Sequence, residues 1–303
     1  MKFFSGNLKN PTEPLVDRAF LEKLERLTIR WQKSFRGLVG GHMPSRFAGG
    51  GQEFLDHRQF HHGDDLRGVN WRAYLRFEKL FLKVFHAEPR IPMRLMLDIS
   101  RSMDTGDGAK FRYARRLAAA LAYVGLVKLD SISIVPFHEG LAEAFVCTGG
   151  RHRFAPAADF LNQLRPAGAT RFLEATRQFT SRFTGTGLLI IISDFLSGEG
   201  WEKPLQLLAD IGHELFLIQV WDEVDRTPPW RGRIRLEDAE SAETLDVHAG
   251  REAARRYTEA FDAYSRALQR VALSSGGRYT GLSTEIPVDT AIFGPIARQG
   301  GVE

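Results

Sequence analysis

A chain of 303 residues with a net charge of +4, 43% hydrophobic residues and one cysteine is long enough for one large domain, or one and a half, with an ample core. The lone Cys147 excludes an internal disulfide and points to a reducing compartment. No apolar run approaches the length that spans a bilayer, and Met1 to Asn7 lack the apolar core of a secretory leader, so a bacterial-type cytoplasm is the expected location.

The positive balance is mild and mixed. Arginines between Arg26 and Arg90 alternate with Glu53, Asp56, Asp64, Asp65, Glu78 and Glu88, so no Lys/Arg run reads as a phosphate track and a nucleic-acid partner is not expected. Along the chain, Thr12-Glu13-Pro14 opens a predicted amphipathic helix in which Phe20, Leu21, Leu24, Leu27 and Trp31 recur at helical spacing. Gly37 to Gly51 is glycine-rich but lacks the Gly-Lys-Ser/Thr ending of a nucleotide loop, and reads as connection. Gln52 to Glu88 is dense in polar, aromatic and turn residues and runs into a predicted strand, Leu80 to Phe85. Within it, His57, His61, His62, Asp64 and Asp65 allow two readings: a hydrolytic metal site, or turns and ion pairs with Arg58 and Arg67.

Ile91 to Leu97 reads as a buried strand, and Asp98-Ile99-Ser100-Arg101-Ser102 falls where it would leave a sheet, the position at which open α/β sheets bind ligands. Three oxygen-bearing side chains at alternating positions suit a hard cation, although Ser100 and Ser102 are also natural helix caps. Gly187 to Ile192 is a second apolar run, and it too ends in an acid, Asp194 after Ser193. Between the two, Thr170 precedes a predicted helix, Arg171 to Phe183, where it doubles as a candidate N-cap.

The remaining pattern alternates. Helices are predicted over Lys110–Val127, Phe154–Leu164, Trp201–Ile211 and from Arg251 onward, and strands over Ser131–Phe137, Leu141–Val146, Glu214–Val220 and Gly277–Leu282. Residues 226–249 break the rhythm: Ile234 and Leu236, then Leu245 and Val247, alternate around an acidic turn at Glu240-Ser241, which predicts an inserted β-hairpin. The expected fold is α/β, with a doubly wound, mostly parallel sheet. The expected organisation is an N-terminal helical and β extension over 1–90, followed by the sheet domain over 91–303. No nucleophile is supplied with a base placed beside it by the sequence, His138 being one candidate partner for the serines.

The ordered set Asp98, Ser100, Ser102, Thr170 and Asp194 resembles the metal-ion-dependent adhesion site of von Willebrand factor type A domains. Carried over, that resemblance implies that Ser100, Ser102 and Thr170 coordinate Mg2+ (or Mn2+ or Ca2+ in its place) through their hydroxyls. Asp98 and Asp194 would hold coordinated waters, and an Asp or Glu of a protein partner would complete the shell. Gly51, Glu53, Phe54, Arg58, Gly63, Asp64, Asp65, Arg67, Trp71, Arg76, Lys83, Phe85 and Glu88 resemble the signature of the bacterial family catalogued as domain of unknown function 58, which joins such a segment to an A-type domain. His62 stands where that family usually has Pro, and Asn70 where it usually has Asp. The resemblance implies a non-catalytic adaptor cooperating with a MoxR-type AAA+ ATPase on client proteins. A metal-dependent phosphoesterase or nuclease, or a scaffold with a vestigial site, is the alternative.

Overall fold

The computed structural model describes residues 15–27, 54–61, 69–85, 92–128, 131–197 and 200–299. They fall into two compact units, one of Ser34–Arg90 and one of Met1–Lys33 with Ile91–Glu303.

In the larger unit, a six-stranded sheet is built from β3 (Met93–Asp98), β4 (Ser131–Phe137), β5 (Phe145–Thr148), β6 (Leu188–Ser193), β7 (Glu214–Trp221) and β10 (Arg278–Ser283). Its spatial order is β10-β7-β6-β3-β4-β5. All neighbours run parallel except the edge pair β4 and β5. Numbered within the sheet this is the doubly wound order 3-2-1-4-5-6, whose direction of winding reverses between β3 and β6. Both strands are buried along their whole length, as expected for parallel strands covered on both faces.

The two-residue period of a strand splits these side chains between two cores. Leu95, Leu97, Ile190 and Ile192 point into a cluster with Ala114, Leu117, Ala118 and Leu121 of α3 (Ala109–Lys128). Met96, Leu189 and Ile191 point the other way. They pack with Phe172 and Phe179 of α5 (Phe172–Arg182), Leu205 and Leu208 of α6 (Glu202–Asp210), and Leu268 of α8 (Arg251–Ser274). Further helices are α4 (Phe154–Gln163), the short α7 (Glu223–Arg226) and α9 (Val288–Ala291). The inserted hairpin is present, as β8 (Gly232–Glu237) paired antiparallel with β9 (Thr244–Ala249).

Three expectations are corrected. The first helix, α1, covers Arg18–Leu24 because the Asp17 carboxylate caps it, accepting from the Phe20 amide at 2.7 Å. It shares the core of the larger unit instead of belonging to an extension, and Trp31 lies outside the described residues. The edge strand begins at Phe145, not Leu141. Residues after Phe137 are spent on a turn in which the Ala142 amide returns to Pro136 O, and the Leu141 amide to Gln178 Oε1. Cys147 on that strand is half-buried, and burial pushes its thiol up.

In the smaller unit, β1 (Phe54–Gln59) pairs antiparallel with β2 (Phe81–Phe85). The helix between them, α2 (Trp71–Phe77), was not expected from the sequence. Asn70 caps it by accepting from the Ala73 amide at 3.3 Å. A cap needs only an acceptor oxygen, so the amide at this position serves without the charge of an Asp.

Gly187, just ahead of β6, sits where an added Cβ would overlap the Pro92 carbonyl oxygen, which accepts from the Leu188 amide at 3.1 Å. The obstacle is backbone and has nowhere to go. Gly187→Ala is therefore expected to cost about 1–3 kcal/mol of stability through overpacking, read as a lower urea midpoint with an unchanged slope; an unchanged midpoint would disprove tight packing at the start of these two strands.

Candidate functional site

The winding reversal places the ends of β3 and β6 side by side, so their terminal acids meet. Asp98 and Asp194 are both buried, at 0% and 1% exposure. Asp98 Oδ1 accepts from the Ser100 amide at 2.9 Å, which folds the 98–102 loop back onto the strand end. Its Oδ2 accepts from the hydroxyl of Ser193 at 2.6 Å. That same Ser193 oxygen accepts from the Phe195 amide at 2.8 Å, so one hydroxyl ties the two strand ends together.

Ser100 precedes a short 3-10 turn, Arg101–Asp104, but makes no side-chain cap to it. Its hydroxyl faces Ser102 Oγ at 2.9 Å instead, and both residues are buried. Thr170 reaches the same place from the other side. The Ala167 amide donates to Ile99 O at 2.8 Å and the Arg101 amide to Gly168 O at 3.1 Å, lacing the two loops together. Gly168 has a φ of +70°, and a Cβ there would approach His138 Nδ1 to 2.8 Å, so glycine is required for the loop to lie this close. Thr170 does not cap α5; Arg171 occupies that position. Its amide and hydroxyl both donate at 2.9 Å to the carboxylate of Glu240, from the turn of the inserted hairpin.

Burial and the charge of Asp194 push the Asp98 carboxyl up to about 7, against the opposing pull of the Ser193 hydroxyl and the Ser100 amide and hydroxyl. Asp194 has a cation of its own. Lys110, buried near the start of α3, places Nζ 2.9 Å from Asp194 Oδ2 and 3.0 Å from Asp225 Oδ2. Burial pulls the ammonium down, but the two carboxylates outweigh it and hold the lysine above its ordinary value. Asp194 Oδ1 accepts from the Leu196 amide at 3.0 Å. Phe195 between them takes a φ of 57°, unusual for a residue with a side chain, and its carbonyl accepts from Tyr264 Oη of α8.

The oxygen donors suit a small hard cation. The Ser100 and Ser102 hydroxyls are hydrogen-bonded to one another at 2.9 Å, a separation that neighbouring oxygens of an octahedral Mg2+ shell also have when ligands lie at about 2.0–2.1 Å. Each carboxylate oxygen of Asp98 and Asp194 retains a lone pair beyond the hydrogen bond it accepts.

Of the sequence-predicted residues, Asp98, Ser100, Ser102, Thr170 and Asp194 are gathered at this one sheet edge. His138 lies against Gly168, and its buried Nδ1 has no hydrogen-bond partner among the described residues. The His57–Asp65 cluster is described only in part: His61 Nδ1 lies 3.1 Å from Arg58 Nη1, and residues 62–68 fall outside the described residues. Among those described, no group of three or more His, Cys, Asp or Glu side chains is placed to hold a metal. Sequence reading missed Lys110, Ser193 and Glu240. Nothing in the spacing around Ser193 assigns it a role, and an acid at the tip of a predicted insertion is the available signal for Glu240.

A family model described as "Protein of unknown function DUF58" matches residues 56–268. The uncharacterised proteins Mb1516 of Mycobacterium bovis and Rv1480 of Mycobacterium tuberculosis are each 26% identical over 226 residues, covering 72% of this chain and 70% of their own. Among solved structures, the conserved hypothetical protein BatB from Bacteroides thetaiotaomicron is 19% identical, with 69% of this chain and 98% of that one covered at a TM-score of 0.41.

Removing the lysine leaves the buried Asp194 and the half-buried Asp225 uncompensated. Lys110→Met is expected to cost about 3–5 kcal/mol, measured by urea unfolding, and a second change, Asp225→Asn, is expected to recover part of it; a neutral Lys110→Met would refute the charge-balancing role. The pH response follows from Asp98. Between its ordinary value of 3.8 and about 7, the folded protein retains a proton there that the unfolded chain has lost. This contribution is fully present below the lower value and is lost as pH rises through the upper one. In chelator, the unfolding midpoint of the wild type is expected to carry a falling component over that window that Asp98→Asn removes; parallel profiles would disprove it.

Proposed function

The chain belongs to the DUF58 family, and we propose that within it this protein is a non-catalytic, Mg2+-dependent protein-binding module. The observation that carries the reading is the meeting of Asp98, Ser100, Ser102, Thr170 and Asp194 at the winding reversal of a doubly wound sheet, where such sheets take their ligands. Ser100, Ser102 and Thr170 would hold the ion through their hydroxyls, and Asp98 and Asp194 would hold it through coordinated waters. When bound, it supplies a positive centre able to accept an outside carboxylate.

The chain's own groups prepare that centre. Ser193 fixes the orientation of Asp98, and Lys110 offsets Asp194, so two buried acids are held close without a net repulsion large enough to open the fold. The lacing of Ile99 and Arg101 to Ala167 and Gly168 holds Thr170 beside the serine loop. Neutral hydroxyl donors leave positive charge on a divalent ion, which favours an acidic group on a partner.

Hydrolysis has less support. A two-metal phosphoesterase or nuclease needs carboxylates bridging two close ions, and Lys110 already engages Asp194 from one side. His138 makes no hydrogen bond to either serine. Cooperation with a MoxR-type AAA+ ATPase is the setting that the sequence resemblance implies, with this chain presenting a client or being gripped through an acidic side chain. No helix among the described residues is long and apolar enough to cross a membrane.

The test is direct. Wild-type protein is expected to bind Mg2+ by calorimetry and to retain an AAA+ ATPase from native lysate in Mg2+ but not in EDTA. Asp98→Ala and Thr170→Ala are each expected to weaken Mg2+ binding by tenfold or more, about 1.4 kcal/mol, with the far-ultraviolet dichroism unchanged. Mg2+ binding that survives both substitutions in folded protein would end this reading.

A further inference from the structure

The inserted hairpin brings its own acid to the site. Its turn is organised by Asp238, whose Oδ1 accepts from the Glu240 amide at 2.9 Å, the Ser241 amide at 2.6 Å and Ser241 Oγ at 2.9 Å. Ala242 turns the chain with a φ of 59°, and the Asp238 amide donates to Glu243 O at 2.8 Å. Asp238 Oδ1 thereby fixes the turn, and Glu240 at its tip is half-buried. Both of its carboxylate oxygens are taken by one residue: Oε2 by the amide of Thr170 and Oε1 by its hydroxyl.

The base of the hairpin is anchored, with Ala249 buried, but its distal part offers few other ties among the described residues. Leu245 is 61% exposed, and the Arg235–Asp246 ion pair links the strands to one another instead of to the body. Glu240 itself has no ion pair among the described residues; it is bound by neutral donors only, at a sheet edge that already carries two buried acids. A carboxylate held this way is well aimed by two charge-assisted hydrogen bonds, and a second carboxylate could make the same two bonds in its place.

We infer that the amide and hydroxyl of Thr170 form a docking point for a carboxylate, that Glu240 is its tethered resident, and that the external ligand is an acidic side chain displayed on a tight turn of a protein partner, which must displace the hairpin tip to enter. The inference deepens the proposed function, since it takes Thr170 as part of the partner-binding edge. The contact itself needs no ion: Thr170 donates its hydroxyl proton to Glu240 while its lone pairs remain available. Occupancy by the resident lowers the apparent affinity for any competitor by the fraction of time the tip is lifted, and removing the carboxylate removes that competition.

The experiment uses the full chain and a fluorescent peptide copying its own residues 236–245, with a second peptide carrying Glu240→Gln. The acidic peptide is expected to bind the Glu240→Ala chain about tenfold or more tightly than the wild-type chain, the Gln peptide to bind neither, and trypsin to cleave after Arg233 or Arg235 faster in Glu240→Ala. Equal affinity for the two chains, equal affinity of the two peptides, absence of binding, or unchanged cleavage would each overturn the inference. Running the titration in Mg2+ and in EDTA, alongside Mg2+ calorimetry, separates the two readings. Discriminating capture without Mg2+ binding overturns the metal reading and leaves Thr170 as the docking point. Intact Mg2+ binding with no discrimination overturns this inference alone.

Discussion

Two carboxylates at the ends of adjacent buried strands are an electrostatic liability, and much of the surrounding structure answers it. Bringing Asp98 and Asp194 out of water together raises the energy of their charged forms. The fold meets that cost with a buried ammonium on one acid, a serine hydroxyl on the other, and backbone amides returning from the loops that follow each strand. These same contacts fix where the loops go. The acids thus act as anchors for the polypeptide that forms the edge of the sheet, whatever later binds there.

The position of this arrangement follows from topology. In a sheet that winds outward in both directions from its centre, the first strand and the first strand of the second half are neighbours, and the loops leaving them part to opposite sides. The gap between those loops is the one place on the sheet where a ligand meets backbone and side chains from several elements without disturbing the core. β3 and β6 fill that role here, and Thr170 arrives because the loop after α4 crosses toward them and is laced to both Ile99 and His138.

Much of this was legible in the sequence. The strands carrying Asp98 and Asp194 are nearly continuous apolar runs, a pattern that survives burial on both faces, and their terminal acids stand out against it. The hairpin was visible for the opposite reason: Ile234, Leu236, Leu245 and Val247 alternate where the rest of the chain does not. What was not legible is long-range or context-dependent. Lys110 looks like any lysine opening a helix, and only the packing of α3 under the sheet delivers its ammonium to residues 84 and 115 positions away. The α2 helix was hidden because Trp71 to Phe77 buries no side chain and so carries no core-facing stripe, and its cap, Asn70, stands out in the sequence only as a departure from the family's Asp. The edge strand was misplaced because the turn after Phe137 consumes Leu141 and Ala142, which have the composition of a strand.

The long helix α8 touches both flanks of the acid–lysine–acid bridge. Through Tyr264 it holds the carbonyl of Phe195, the residue next to Asp194; through Asp262 it grips Arg226, the residue next to Asp225, at 2.9 Å. Lys110 spans the gap between those two acids. The helix therefore works like the spine of a pair of calipers, with the lysine as the object measured between the jaws. Both grips come from residues two apart on one helix, so the chain next to Asp194 and the chain next to Asp225 are held at one spacing. β9 runs into this helix through Gly250 alone, so the hairpin that carries Glu240 and the helix that spans both jaws are consecutive in the chain, one residue apart.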